Sequence, residues 1–128
     1  MRHKLSKMIE LDTWAKKRQI FVRQLLTNLV KNGKTTTTPK RAKVLKWEVD
    51  SFFSHLVRLH KKLDPKDARR ESIRFIKSQI FGEPEGKKVL NILLPKYIEA
   101  GNTTSFVADY KLWFRVGDGV QKIMLKLL

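Results

Sequence analysis

Hydrophobic side chains recur every three or four positions over most of the chain, and this spacing predicts amphipathic helices. The first helix is expected to run from about Asp12 or Thr13, both suitable N-caps, to Lys31. Gly33 is expected to follow its end, because glycine adopts the left-handed conformation at low cost. The apolar positions of this helix are Trp14, Phe21, Val22, Leu25, Leu26 and Leu29.

The second helix is predicted to begin at Pro39, after the N-cap Thr38, and to continue to about Lys62. Proline suits the first helical position because an N–H group there would have no partner within the helix. One face of this helix is expected to lie on a sheet as part of the core. That face consists of Ala42, Leu45, Val49, Phe52, Leu56, Leu59 and Leu63.

Two more helices are predicted before the pattern changes. Pro65, which follows the capping residue Asp64, is expected to start a third helix that ends near Phe81. A fourth helix is expected from Glu83, and Pro95 must kink or break it, because proline removes a hydrogen bond and crowds the preceding turn. The third helix is expected to turn inward Ala68, Ile73, Ile76 and Ile80.

The hydrophobic period then changes to two, which is typical of strands. Alternating side chains run from Phe106 to Arg115, and Ile123, Leu125 and Leu127 alternate again after the turn at Gly117-Asp118-Gly119. This pattern predicts a C-terminal β-hairpin.

Four consecutive threonines, residues 35–38, favour another short strand, because stiff β-branched side chains suit a pleated surface. The hairpin is the only predicted sheet with which this strand can pair. The sequence therefore predicts a two-layer α+β fold with the order α-β-α-α-α-β-β, in which the helices pack on one face of a small three-stranded sheet. Residues 1–9 are expected to form a basic N-terminal arm, and residues 10–128 a single domain.

The net charge of the chain indicates what kind of molecule it binds. The chain has 128 residues and a formal net charge of +16, yet 41% of its residues are hydrophobic, so it is expected to fold. A folded domain tolerates such self-repulsion most readily when a polyanion neutralises it. The basic excess is larger in residues 1–62 than in residues 63–128. The centre of binding is expected between Asn32 and Lys46, where cations, hydroxyls and a helix N-terminus come together.

Several classes of function are not supported. The chain has no cysteine, no apolar run long enough for a membrane span and no secretory signal, so an intracellular protein is expected. Gly33-Lys34-Thr35 follows a helix and lacks the earlier glycine of a P-loop. His55 and His60 are five residues apart, which does not suit a shared metal, and all three histidines, His3 included, are expected to be surface or RNA-facing. We expect no enzyme activity, no cofactor, no metal and no small-molecule substrate.

Five short motifs occur in an order that resembles the family of the bacterial large-subunit ribosomal protein numbered seventeen. The resemblance covers most of the chain, although residues 8–12, 16–18, 102–104 and 120–122 depart from the family pattern. The motifs are Met1-Arg2-His3-Lys4, Thr37-Thr38-Pro39-Lys40-Arg41-Ala42-Lys43, Asp67-Ala68-Arg69-Arg70, Pro95-Lys96-Tyr97 followed by Gly101, and Arg115-Val116-Gly117-Asp118.

The resemblance implies a structural, non-enzymatic protein that binds large-subunit rRNA near the peptide exit, among neighbouring ribosomal proteins. It implies a cytoplasmic ribosome, with an organellar one as the alternative, and no membrane partner. A DNA-binding basic protein and a small enzyme acting on nucleic acid are the rival interpretations. The predicted rRNA-binding residues lie in the arm, the first helix, the threonine stretch, the two following helices and the hairpin: Arg2, His3, Lys4, Lys7, Lys16, Lys17, Arg18, Arg23, Lys34, Thr37, Thr38, Lys40, Arg41, Lys43, Lys46, Arg69, Arg70 and Arg115.

Overall fold

The computed structural model describes the backbone of residues 15–128 and the side chains of residues 19–128. The predicted arm, residues 1–9, lies outside the described residues. The elements follow one another as α1 (Ala15–Asn32), β1 (Lys34–Thr37), α2 (Pro39–Lys62), α3 (Pro65–Gln79), α4 (Glu83–Lys88), a π-helical turn (Val89–Leu93), α5 (Leu94–Ala100), β2 (Val107–Phe114) and β3 (Gln121–Leu127). This order confirms the predicted α+β fold.

Helix α2 has the predicted bounds and the predicted buried face. Thr38 is extended, with φ −75° and ψ 159°, and Pro39 begins the helix. The correction is Leu63, which was expected in the buried face and is 39% exposed. The helix ends at Lys62, and the extended backbone of Leu63 carries its side chain away from the core.

The helical region after Gly82 is interrupted just before Pro95, as the sequence predicted. The N–H of Leu94 donates to the carbonyl of Val89, five residues earlier, so the turn before Pro95 is a wide π turn. A π turn at this point accommodates the missing N–H and the bulk of the proline ring. The third helix ends at Gln79, slightly before the predicted Phe81.

The three strands form one antiparallel sheet with the order β1-β3-β2. Val107, Leu125 and Leu127 are buried on the face toward the helices, whereas Lys126 and Tyr110 lie exposed on the opposite face. Gly33 allows β1 to start directly after α1, since its φ of 74° is left-handed, and its carbonyl accepts a hydrogen bond from the N–H of Leu127 at 3.0 Å.

An aromatic cluster joins the helices to the sheet. The ring of Phe53 lies 4.9 Å from that of Tyr97 and 5.5 Å from that of Phe106, measured between centroids, and all three side chains are buried. Phe52 stacks on Phe75 of α3 at 5.4 Å. The core lies between the helices and the inner face of the sheet, and this aromatic cluster within it holds the sheet in a fixed position on α2.

Polar contacts at every fourth residue of α2 also fix its position on the sheet and on the segment before β2. Lys46 Nζ lies 2.9 Å from Asp109 Oδ1, and Asp50 Oδ1 accepts the N–H of Phe106 at 3.0 Å. Further along, Ser54 Oγ donates to the carbonyl of Thr103 at 3.0 Å. These residues share one face of the helix because they are spaced by four. The open face of the sheet is thereby presented away from the helices.

Candidate nucleic-acid interface

The β1–α2 junction and the C-terminal hairpin meet around a groove of about 330 Å³. Neither segment could form this groove alone, since they are far apart in the sequence and the pairing of β1 with β3 brings them together. Four of the predicted rRNA-binding residues lie in its walls: Thr37, Thr38, Arg41 and Arg115. The other lining residues are Thr36, Val120, Gln121 and Lys122.

The N-terminus of α2 adjoins this groove. The hydroxyl of Thr38 makes no capping hydrogen bond, although Thr38 is the N-cap, and Pro39 has no N–H. The first-turn amides give this end of the helix a partial positive charge. Because α2 has 24 residues, its dipole is fully developed. An anion in the groove would therefore meet helix amides and threonine hydroxyls as well as cationic side chains.

Arg41 is oriented by an aromatic ring. Its guanidinium carbon lies 5.1 Å from the centroid of the Phe21 ring on α1. This cation–π contact restricts the side chain without neutralising its charge. The guanidinium can therefore still donate to phosphate from a restricted position.

The open face of the sheet continues the positive surface away from the groove. Lys34 on β1 lies directly opposite Lys126 on β3, and both are exposed. Thr36 lies opposite Met124, which in turn lies opposite Tyr110 of β2. Lys122 is two residues before Met124 on β3, so its side chain points to the same face of the sheet. We refer to Lys34, Thr36, Tyr110, Lys122 and Lys126 together as the basic sheet face.

The basic sheet face has no carboxylate among its strand residues. Asp109 is the only acidic residue in the three strands, and it lies on the side of the sheet that faces α2. Its hydrogen bond and ion pair with Lys46 lower its pKa below the ordinary value. The lysines of the open face therefore have no neutralising partner in the strands themselves.

Arg115 lines the groove but already has a counter-ion. Its Nε donates to Asp118 Oδ1 at 3.0 Å, and its Nη2 donates to Asp118 Oδ2. These bonds, together with the N–H of Val120, lower the pKa of Asp118 to about 2. Arg115 is consequently positioned at the groove as half of a bidentate pair rather than as a free cation.

Three other predicted residues lie away from the groove. Lys46 is held on the helix side of the sheet by Asp109. The guanidinium of Arg23 lies 4.0 Å above the ring of Phe81 and donates to the carbonyl of Lys77 at 3.3 Å. Arg23 and Arg69 instead line a larger, mainly apolar groove of about 720 Å³ between α1, α3 and α4.

The remaining predicted residues fall into two groups. Lys40 and Lys43 are exposed on the first turns of α2, and Arg70 is exposed on α3. The predicted residues whose side chains are outside the described part of the chain are Arg2, His3, Lys4, Lys7, Lys16, Lys17 and Arg18.

Two of the three histidines contact α3. The ring of His55, which is exposed as predicted, lies 4.2 Å from that of Phe75. His60 is half-buried rather than on the surface as predicted: its Nδ1 lies 3.1 Å from the Leu56 carbonyl oxygen and 3.5 Å from Ser72 Oγ of α3. Within residues 15–128 there is no cluster of three His, Cys, Asp or Glu side chains that could hold a metal ion. The helices of that same range include none that could cross a membrane.

The sequence interpretation missed two lysines of the basic sheet face, Lys122 and Lys126. The signal was present, since Ile123, Leu125 and Leu127 alternate as the inward residues of β3. The intervening residues must then point to the opposite face. The same argument explains the exposure of Lys126.

Comparison with known proteins assigns the family. The chain is 32% identical over 111 residues to the large ribosomal subunit protein bL17 of Clostridium botulinum (strain Eklund 17B / Type B), covering 87% of this chain and 88% of the relative. It is 31% identical over 129 residues to bL17 of Lactiplantibacillus plantarum, covering 93% and 96%. It is 27% identical over 132 residues to bL17 of Fervidobacterium nodosum, covering 100% and 99%. No protein-family model matches the chain.

These relatives are similar along nearly the whole chain, and their common name is that of a structural ribosomal constituent, not an enzyme. The chain therefore belongs to the bL17 family of large ribosomal subunit proteins, as a divergent member.

Proposed function

We propose that the chain is a structural constituent of the large ribosomal subunit and binds its rRNA through the basic sheet face and the adjoining groove. The observation that carries this proposal is the direct opposition of Lys34 and Lys126 at one end of the β1–β3 pair, whose other end adjoins a groove lined by Arg41 and Lys122. Like charges directly opposite each other on a sheet are unfavourable. A phosphate between or beside them removes the repulsion and gains two ion pairs.

The mechanism is neutralisation of closely packed phosphates. Each phosphate contact releases counter-ions from the RNA, so binding gains free energy that decreases as salt is added. The +16 net charge raises the local concentration of RNA around the protein and speeds their encounter. Lys40 and Lys43, exposed on the first turns of α2, add positive charge at the end of the helix that adjoins the groove.

Hydroxyls and helix amides fix the register of the RNA backbone. Thr37 and Thr38 can donate to phosphate oxygens, and the α2 N-terminus adds a favourable dipole. Contacts of this kind carry no sequence information of their own. We therefore expect the interaction to follow the shape and backbone of folded rRNA, as is typical of structured RNA.

The family resemblance supports two further parts of the proposal. We place the protein near the peptide exit of the subunit, and we expect neighbouring ribosomal proteins as its other partners. The arm, residues 1–9, and the basic residues 16–18 of α1 are proposed to add rRNA contacts of their own, because both segments have clustered positive charge.

The two rival functions find less support. A DNA-binding module needs an exposed recognition helix, whereas α2, the most regular helix, buries Leu45, Val49 and Phe52 in the core. An enzyme acting on nucleic acid needs a metal or an acid–base cluster. Residues 15–128 contain no group of three His, Cys, Asp or Glu side chains that could hold a metal ion.

Incorporation into subunits tests the proposal. Lys40→Ala, Arg41→Ala and Lys43→Ala together remove three charges from the first turns of α2, the end of the helix that adjoins the groove. A matched control removes three charges from the other end of the same helix: Arg58→Ala, Lys61→Ala and Lys62→Ala. All six side chains are exposed, so both variants are expected to keep their fold by circular dichroism.

The readout is the amount of each protein that remains with purified large subunits after a high-salt wash. The wild type and the control are expected to remain bound, and the groove variant to be depleted. Loss of both variants in equal measure would mean that only total charge matters. A wild-type chain that leaves the subunits in the wash would contradict the proposed function itself.

A further inference from the structure

The end of the hairpin exposes large apolar side chains on both faces. Trp113 is 85% exposed and Val116 is 97% exposed. Leu112 and Phe114 are exposed as well, and the pairing of β2 with β3 is irregular between Lys111 and Phe114. We call residues 112–120 the hairpin tip. Clustered exposure of this kind, in contrast to scattered single apolar residues, marks an interaction surface.

The tip differs from the rest of the chain in charge. Its only ionisable side chains are Arg115 and Asp118, which form a bidentate pair with each other. The tip therefore has no net charge, in a protein whose total is +16. The tip itself therefore offers phosphate no unpaired cation, whereas Arg41 and Lys122 lie beside it in the groove.

We propose that the hairpin tip is a docking surface for another protein of the large subunit, one that presents an apolar and uncharged pocket. This inference rests on the proposed function, because it places the chain in the subunit. Trp113 and Phe114 are the anchors, since aromatic side chains buried at the centre of an interface contribute most of its binding energy. Val116, at the turn, extends the apolar contact area.

Two other occupants fit the tip less well. RNA bases stack on aromatic rings, but Leu112 and Val116 are aliphatic, and no free cation of the tip accompanies the rings. A second copy of the chain would bring another +16 to the same contact, which opposes self-association. A neutral pocket on a different protein has neither disadvantage.

Site-specific photocrosslinking in large subunits tests the assignment. p-Benzoylphenylalanine is placed at Trp113 in one variant and at Lys126 in a matched variant, and each is incorporated into subunits purified from the cells that produce this protein. Mass spectrometry then identifies the crosslinked molecule. The probe at position 113 is expected to crosslink to one other subunit protein, and the probe at position 126 to rRNA. Crosslinks of position 113 to rRNA or to a second copy, or none at all, would overturn the proposal.

A binding comparison separates this inference from the proposed function. Trp113→Ser with Phe114→Ser removes the anchors, and both side chains are exposed, so melting is expected to stay at the wild-type temperature. The double variant is expected to dissociate at least about tenfold faster from large subunits than the wild type. Its affinity for protein-free large-subunit rRNA is expected to equal that of the wild type.

The outcomes of that comparison are distinct. If the double variant bound protein-free rRNA as weakly as it bound subunits, the tip would be an RNA contact. If it bound both as tightly as the wild type, the tip would not be an interface. Failure of the wild type to bind protein-free rRNA, with loss of the variant on subunits alone, would contradict the proposed rRNA contact and leave the protein docking supported.

Discussion

Lys34 and Lys126 lie directly opposite each other on β1 and β3, on the sheet face away from the helices. No acidic side chain belongs to that face of the three strands, since Asp109 is on the helix side with Lys46. The pair is therefore a cost to the isolated protein and becomes favourable only beside an anion. This relationship is the basis of the proposed rRNA contact.

Reversing one charge of the pair should separate stability from binding. Lys126→Glu places an opposite charge beside Lys34 and is expected to increase the free energy of unfolding by about 0.2–1 kcal/mol. The same change is expected to weaken binding to large-subunit rRNA, because it puts a carboxylate on the basic sheet face. Denaturant melts and RNA titrations on one preparation measure both effects.

Lys61→Glu is the control for that variant. It changes the net charge equally but lies near the end of α2, where the residue is exposed. Equal loss of affinity in the two variants would mean that the position of Lys126 has no special role.

The core of α2 should be sensitive to truncation. Phe52 is 3% exposed and its ring contacts those of Phe53 and Phe75. Phe52→Ala is expected to lower the free energy of unfolding by about 3–5 kcal/mol, through lost burial and the cavity left behind. Trp47→Ala, at an exposed position on the same helix, is expected to change it by less than about 0.5 kcal/mol. Chemical denaturation measures both, and similar effects would show that the face of α2 is assigned incorrectly.

Tyr97 should tolerate loss of its hydroxyl. The Tyr97 side chain is fully buried, its hydroxyl has no hydrogen-bond partner among the described residues, and burial raises its pKa to about 12. A buried hydroxyl without a partner costs about 1–3 kcal/mol. Tyr97→Phe, which keeps the ring contacts with Phe53 and Phe106, is expected to leave stability unchanged or to increase it. A clear decrease in melting temperature would reveal a hydrogen bond at that hydroxyl.

The turn of the hairpin should respond to acid. Asp118 has a folded pKa of about 2, below its ordinary value of 3.8, first because of its hydrogen bonds with Arg115. The ionised form is thus favoured by folding, so the stability it contributes is present above pH 3.8 and is lost as the pH falls through about 2. NMR titration of the carboxyl group should give this low pKa in the wild type. In Arg115→Ala the pKa is expected to rise toward the ordinary value, and an unchanged pKa would show that the pair does not form in solution.

Much of the fold was predictable because local signals and tertiary structure agree. Thr38 and Pro39 define the start of α2 by cap chemistry that depends only on neighbouring residues, and the period-two pattern defines the hairpin. Leu63 was placed wrongly because spacing alone does not show where the backbone leaves the helix. The form of the interruption before Pro95, a π turn, also depends on packing around it.

The site was only partly predictable, because it depends on long-range pairing. Arg41 and Arg115 were identified separately as basic residues, but only the register of β1 on β3 brings their segments to one groove. Lys46 also looked like a phosphate ligand. Its partner Asp109 is 63 residues away in sequence, so spacing could not reveal the ion pair.

The salt dependence of rRNA binding tests the central claim most directly. Lys34→Gln, Lys122→Gln and Lys126→Gln together remove the lysines of the basic sheet face while the inward residues of the strands stay unchanged. The logarithm of the wild-type affinity for large-subunit rRNA is expected to fall steeply and linearly with the logarithm of the salt concentration. The triple variant is expected to lower that slope by roughly 2–3 units, close to one for each lost phosphate contact. A wild-type slope near zero, or an identical slope in the variant, would contradict binding through this face.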